Sequence, residues 1–244
     1  VIQEYFLSIG TMLDKVLAAE QIHMQGAAVK VADCIDGGGI VHLFGCGHSH
    51  LLTEEVFYRA GGLVPIRPIF YEPLMLHEGA VRSSELERQN GLAATFMEGQ
   101  DIREGDVMFV LSTSGRNPVP VDVALAANRK GAYTIGITSI AYSHSQPSRH
   151  TSGKRLSDAV DLVIDNHAVA GDAALRHERV PVPFAPTSTV IGAAVLNAVF
   201  AEAIAELAER GVEPPVFLSG NIDGADEFNA NLIAKYRERI PLLR

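Results

Sequence analysis

The stretch Ile40-Val41-His42-Leu43-Phe44-Gly45-Cys46-Gly47-His48-Ser49-His50 sets an apolar run, broken only by His42, directly against a glycine-rich turn. A run of this kind reads as a strand buried on both faces, as in a parallel sheet. Helical spacing resumes at once and predicts a helix over Leu51 to Ala60, so the glycines fall at a strand-to-helix turn. Such a turn gathers backbone N–H groups and the positive end of a helix dipole, which suits a phosphate or a sugar hydroxyl.

Four similar runs follow, at Leu63 to Ile66, Val107 to Leu111, Tyr133 to Ile137 and Ala159 to Ile164. Helical patterns lie between and after them, at Ser84 to Met97, Val119 to Arg129, Thr189 to Glu209 and Ala225 to Arg239. Ahead of the first strand, Phe6, Ile9, Leu13, Val16, Leu17, Val29 and Val31 recur at helical spacing, and Gly37-Gly38-Gly39 ends this helix or helix pair. The alternation predicts an α/β fold, a three-layer doubly wound sheet of five parallel strands in the order 2-1-3-4-5 with added helices at both ends. One domain is expected over 1–244, with a helical segment at 1–36, a core at 37–210 and a helical extension at 211–244. Tyr142 to Gly153 reads as a surface loop and Val180 to Pro186 as a connector. The helix at 189–209 is nearly apolar around its first half and needs partners on more than one side, which predicts a homodimer or homotetramer.

The third strand runs into Ser112-Thr113-Ser114-Gly115-Arg116-Asn117-Pro118. Asn117 is placed as a helix N-cap with Pro118 at the first helical position. Three hydroxyls, backbone N–H groups and a helix start are thereby aimed at one anion. Between Val107 and Val121 there is one cation, Arg116, and no acid. In a sheet of order 2-1-3-4-5, strands one and three are neighbours at the switch point where ligands bind, so both unusual loops meet there.

Other readings of these loops fail on particular residues. A dinucleotide fingerprint lacks its third glycine, which is His50, and Arg67-Pro68 stands where an acid should follow the second strand. Ser152-Gly153-Lys154 lacks the upstream glycine of a phosphate-binding P-loop. The chain of 244 residues carries 20 basic and 29 acidic side chains, a net charge of −9, which disfavours a nucleic-acid partner. Cys34 and Cys46 form no framework of disulfides, no leader pattern is visible, and the longest apolar stretch, Val190 to Ala201, is short for a membrane span; these features predict a soluble, cytoplasmic protein.

Together, Gly45-Cys46-Gly47-His48-Ser49 and Ser112-Thr113-Ser114-Gly115-Arg116-Asn117-Pro118 resemble the two signature loops of the SIS (sugar isomerase) family, over about Ile40 to Leu207. The resemblance implies a flavodoxin-like core that binds a sugar phosphate, often at a dimer interface. It places the phosphate on Ser112, Thr113, Ser114 and Asn117, beside Arg116. The sugar falls to Ser49 and the neighbouring Gly45, Gly47 and His48. The phosphoheptose isomerase and muramic acid phosphate etherase branches carry a Glu ten positions after the first-loop Ser, where this chain has Arg59. The former also carries a His on the late helix, and no His occurs between Thr187 and Arg244. A sugar-phosphate isomerase working through an enediolate is the expectation; an etherase-like lyase and a non-catalytic phosphosugar sensor are the alternatives.

Isomerisation needs a base held near two adjacent carbons and an acid for ring opening. The candidates are Glu54 and Glu55 on the first helix, His77 and Glu78 after the second strand, and Glu178 with His177 before the late helix. Glu85 and Glu87 read as a solvated helix face. His48-x-His50 with His77 lacks compact ligand spacing, so neither a metal nor another cofactor is expected. His42 reads as a core histidine, and Ser143 to Lys154 as either a lid or a plain surface loop.

Overall fold

The computed structural model describes residues 1–244. Five parallel strands, β1 (Val41–Gly45), β2 (Ile66–Pro68), β3 (Val107–Leu111), β4 (Tyr133–Thr138) and β5 (Leu162–Asp165), lie in the order β2-β1-β3-β4-β5. Every residue of β1 and β3 is buried. Alternation along a strand divides these side chains between the two faces. Val107, Phe109 and Leu111 of β3 pack with α1 (Ile2–Asp36) and α7 (Ser188–Glu209), while Met108 and Val110 pack with α4 (Ala94–Met97) and α5 (Pro118–Arg129).

Helix α1 is a single helix of 35 residues running along α7, which itself has 22 residues. The cover that α7 required therefore comes first from within the chain, and α1 in turn leaves Ile2, Phe6 and Leu7 in solvent. By length and composition α7 is apolar enough to cross a membrane, with a mean hydropathy of 1.8 over its best window. Here Ile191, Val195, Leu196, Val199 and Leu207 are buried in the core. The apolar stretch at 190–201 understates the helix because Glu202, Glu206 and Glu209 extend it on its solvent side.

Several boundaries differ from the sequence pattern, each for a tertiary reason. Leu63 and Val64 do not join β2: Leu63 bridges Val216 antiparallel and Val64 N–H donates to the Pro215 carbonyl at 2.8 Å, so the strand begins only at Ile66. The helix expected at 51–60 is α2 (His50–Glu55), cut short where the chain turns at Tyr58, with φ of 48°. The pattern at 84–97 breaks into α3 (Ala80–Leu86) and α4 around Gly91, with φ of 80°. Residues 156–158 form a 3-10 turn, which delays β5 to Leu162. Part of the expected loop at 142–153 belongs to α6 (Ile140–His144), and the last helix, α8 (Ala225–Tyr236), stops short of Arg239.

Arg239 is instead bound to the amino edge of the sheet, away from the signature loops. Asp106 accepts from Arg239 Nη2 at 2.6 Å, from His42 Nε2 at 3.1 Å, and from the N–H groups of Ile40 at 2.8 Å and Arg103 at 2.9 Å. Burial alone would raise the Asp106 carboxyl, but these hydrogen bonds outweigh it and hold the group well below the carboxylate range. Burial likewise lowers the pKa of His42, against the pull of Asp106.

Candidate functional site

The glycines of the first loop are there for space. A Cβ on Gly45 would stand 2.6 Å from the Ser49 carbonyl carbon, so only glycine lets the 3-10 turn Gly47–Ser49 fold back onto the end of β1. No hydrogen bond within the chain engages the N–H groups of Cys46, Gly47 or His48. His48 is exposed and Ser49 half-buried, whereas His50 is buried and its Nδ1 donates to the Gly47 carbonyl. Two of the three loop polar side chains thus face outward, and the third holds the turn.

Gly115 has the same constraint in the second loop: its φ is 57° and a Cβ would stand 2.5 Å from Thr138 Oγ1. Ser112 Oγ accepts from Gly115 N–H at 3.3 Å, and Thr113 Oγ1 accepts from Asn166 Nδ2 at 3.2 Å. The side chain of Ser114 and the N–H groups of Thr113, Ser114, Arg116 and Asn117 have no partner within the chain. Register pairs Gly45 with Leu111, so the two sets of free donors emerge side by side from neighbouring strands. Free N–H groups at the start of a helix form an anion cradle.

That juxtaposition has a family signature. Residues 4–139, a span containing both loops, match the SIS domain family. The chain belongs to the SIS domain family. UPF0309 protein GK1441 of Geobacillus kaustophilus is 68% identical over 243 residues, covering 100% of this chain and 97% of the relative. UPF0309 protein Teth39_1980 of Thermoanaerobacter pseudethanolicus is 41% identical over 97% of this chain and 98% of its own. In fold, the SIS domain is similar to phosphoheptose isomerase from Francisella tularensis (TM-score 0.51, 15% identity, 83% of this chain and 94% of that one). It is similar also to phosphoheptose isomerase GmhA from Neisseria gonorrhoeae (TM-score 0.50, 13% identity, 84% and 95%). The sugar isomerase domain of an RpiR transcription factor from Sphaerobacter thermophilus matches to the same degree (TM-score 0.50, 16% identity, 86% and 93%).

Around the SIS loops, the structure separates the sequence candidates. His77 and Glu78 lie in a 3-10 turn that touches the first loop: the Leu76 side chain would be 3.9 Å from a Cβ on Gly47, and the His77 and His50 rings are 6.4 Å apart. Both are exposed, with His77 Nε2 3.7 Å from Glu78 Oε1. Glu54 lies 3.9 Å from His50 Nε2. Glu55 is directed elsewhere, ion-paired with Arg59 and accepting from Asn197 of α7 at 3.4 Å. Arg59 thus neutralises the acid one helical turn before it. Glu178 stands on an exposed segment, 3.8 Å from Arg179, and makes no contact with either loop within the chain.

Tyr142 to Gly153 proves to be a strap across the second loop. Arg149 Nη1 donates to Asn117 Oδ1 at 2.9 Å, Arg149 N–H donates to the Arg116 carbonyl at 2.9 Å, and Leu156 N–H donates to the Gly115 carbonyl at 2.8 Å. Arg116 Nε returns a bond to the Pro147 carbonyl at 2.9 Å. Burial, then the neighbouring charges of Arg116 and Arg88, lowers the pKa of Arg149. These guanidinium groups put a local positive field at the start of α5 in a chain of charge −9.

Glu87, assigned by its sequence to a solvated face, lies at the junction of the loops. Its carbonyl accepts from Val119 N–H at 3.3 Å, and its carboxylate lies near enough to Asn117 and Cys46 to interact electrostatically with both. Burial raises its carboxyl above the ordinary value, against the opposing pull of Asn117, Arg88 and Arg149. No sequence signal marks it, because the break after Leu86 that turns it inward is set by packing.

Proposed function

We propose that this SIS domain protein binds a sugar phosphate across the two loops and interconverts its aldose and ketose forms. The observation that carries the reading is the meeting of unpaired N–H donors from both loops at the β1–β3 switch point, under a strap of guanidinium groups. Ser112, Thr113, Ser114, Arg116 and Asn117 hold the phosphate. Gly45, Gly47, His48 and Ser49 hold the sugar hydroxyls. Glu78, oriented by His77, takes the proton between the two carbons, forming the enediolate. Glu87, half-buried where the two loops meet and with its carboxyl raised by burial, serves the ring oxygen as the acid. The fold is shared equally by phosphoheptose isomerases and by the sugar isomerase domain of a transcription factor, so the choice between catalysis and sensing rests on the acids beside the loops.

The test is a panel of hexose, heptose and amino-sugar phosphates in deuterium oxide. Deuterium incorporation at C2 is the expected outcome; a ligand that binds and never exchanges overturns the isomerase reading and leaves a sensor, while release of lactate from a muramic acid phosphate identifies a lyase. Replacing Ser112 and Ser114 by Ala is expected to weaken phosphosugar binding by about 1–3 kcal/mol per lost charge-assisted hydrogen bond. Isothermal titration checks it, and unchanged affinity moves the phosphate elsewhere. The same reading makes the working unit a homodimer or homotetramer, since Ile2, Phe6 and Leu7 of α1 are 79%, 71% and 64% exposed. Sedimentation of the native chain as a monomer at micromolar concentration contradicts that part.

A further inference from the structure

Beyond the carboxyl end of β5 stands a set of groups that the proposed sugar-phosphate site does not use. Glu20 of α1 is buried, and its Oε1 is 3.1 Å from His167 Nε2. Asp165 Oδ2 is 3.4 Å from His167 Nδ1. One ligand atom from each of Glu20, Asp165 and His167 can be chosen so that all lie within 4.8 Å of one another. The other Glu20 oxygen accepts from His23 Nδ1 at 2.8 Å and from the Asp165 N–H at 3.2 Å. Glu20 and Asp165 border a cavity of about 400 Å³, whose rim also carries His23 and Asp161.

No Lys or Arg compensates the two carboxylates: neither Glu20 nor Asp165 has one within ion-pair distance, and their partners are histidines. Glu20 and Asp165 side chains are only 9% and 15% exposed. Buried carboxylates are ordinarily compensated by a fixed cation or a metal ion. Two carboxylates and an imidazole are a donor set for a first-row divalent ion, and the hydrogen bond from His23 is the outer support such a ligating carboxylate receives. A cavity at the open side leaves room for water to complete the coordination.

We propose that Glu20, Asp165 and His167 form a site for a divalent transition-metal ion, with His23 orienting Glu20. The ion ties α1 to the end of β5. It also fixes Asn166, the residue between two ligands, whose Nδ2 reaches Thr113 of the second loop. The site is thus separate from the sugar-phosphate loops but mechanically joined to one of them.

Zinc ion is the probe. The full chain, stripped with chelator, is titrated with Zn²⁺ calorimetrically, and one ion per chain is expected. At about a hundredfold excess over Kd the melting temperature rises by about 5–10 °C, and chelator reverses the rise. Glu20→Gln and His167→Gln each weaken binding at least about 100-fold, and His23→Gln about 10-fold, as outer-shell changes do. Since Glu20 is buried and its variant risks misfolding, Asp165→Asn and the exposed His23→Gln provide independent arms, each checked by circular dichroism. Co²⁺ substitution gives visible ligand-field bands that disappear in His167→Gln. Absence of stoichiometric binding to the native chain overturns the proposal. So does a Zn²⁺ affinity that survives His167→Gln but is lost in His48→Gln/His77→Gln, which would place the ion at the first loop.

Discussion

Glu87 sits at the junction of the two loops, in surroundings that disfavour its charge. Its folded pKa is raised by burial above the ordinary 4.5. The sign of the stability effect follows directly: below the ordinary value the group is protonated folded or unfolded and costs nothing. As pH climbs towards the raised value, the unfolded state ionises first and the fold is penalised. Glu87→Gln removes that penalty, so the variant is expected to melt above the native chain at pH 7 and level with it below about pH 4. Calorimetric melts across that range check the convergence. The same substitution is expected to lower kcat about 10²-fold or more with little change in KM, as loss of a general acid does. If Glu87 merely holds Asn117, KM rises and kcat is spared. A residue of this kind is invisible in sequence because Glu85-Leu86-Glu87-Arg88 has the composition of a solvated helix. Ser112 to Asn117 were legible as a candidate anion loop, because hydroxyls crowded at one strand end exceed what a cap requires.

At the scale of elements, α5 and the strap over it act as one unit. Asp122 of α5 accepts from His150 Nε2 and from Gly91 N–H, both at 2.9 Å, which fastens the strap on one side and the turn after α3 on the other. Asp122→Ala is expected to cost about 1–2 kcal/mol, from the lost hydrogen bonds of one part-buried and one exposed donor. Amide exchange should quicken across 145–155, and phosphate affinity should fall because Arg149 is no longer held over Asn117. Exchange that quickens evenly over the chain would instead mean global destabilisation. The contrast between strap and strands also explains what the sequence revealed about the fold. β1, β3 and α5 were legible almost to the residue, since strands buried on both faces and a proline-started helix carry their own signals. The shortened β2, the truncated α2 and the break between α3 and α4 were not, because Leu63, Val64, Tyr58 and Gly91 answer to contacts far away in the chain.

Across the whole molecule the two edges of the sheet have opposite designs. The carboxyl edge keeps loop donors unpaired, whereas the amino edge surrounds Asp106 with donors and uses it to fasten the C-terminal extension through Arg239. Asp106 is 1% exposed, so removing its partner leaves a buried carboxylate short of a charge. Arg239→Ala is therefore expected to cost about 3–5 kcal/mol near neutral pH, as breaking a buried pair does. Because the folded pKa of Asp106 is depressed, its contribution is fully present above the unfolded value of 3.8 and is lost as pH falls through and below it. The gap between native and variant chains should therefore be widest at pH 6–7 and narrow steadily below about pH 4. Urea unfolding at a series of pH values measures it. A gap independent of pH would mean that Arg239 acts through the packing of its alkyl chain, with the C-terminal extension held by Ile240 and Leu243 in their apolar cluster rather than by the ion pair.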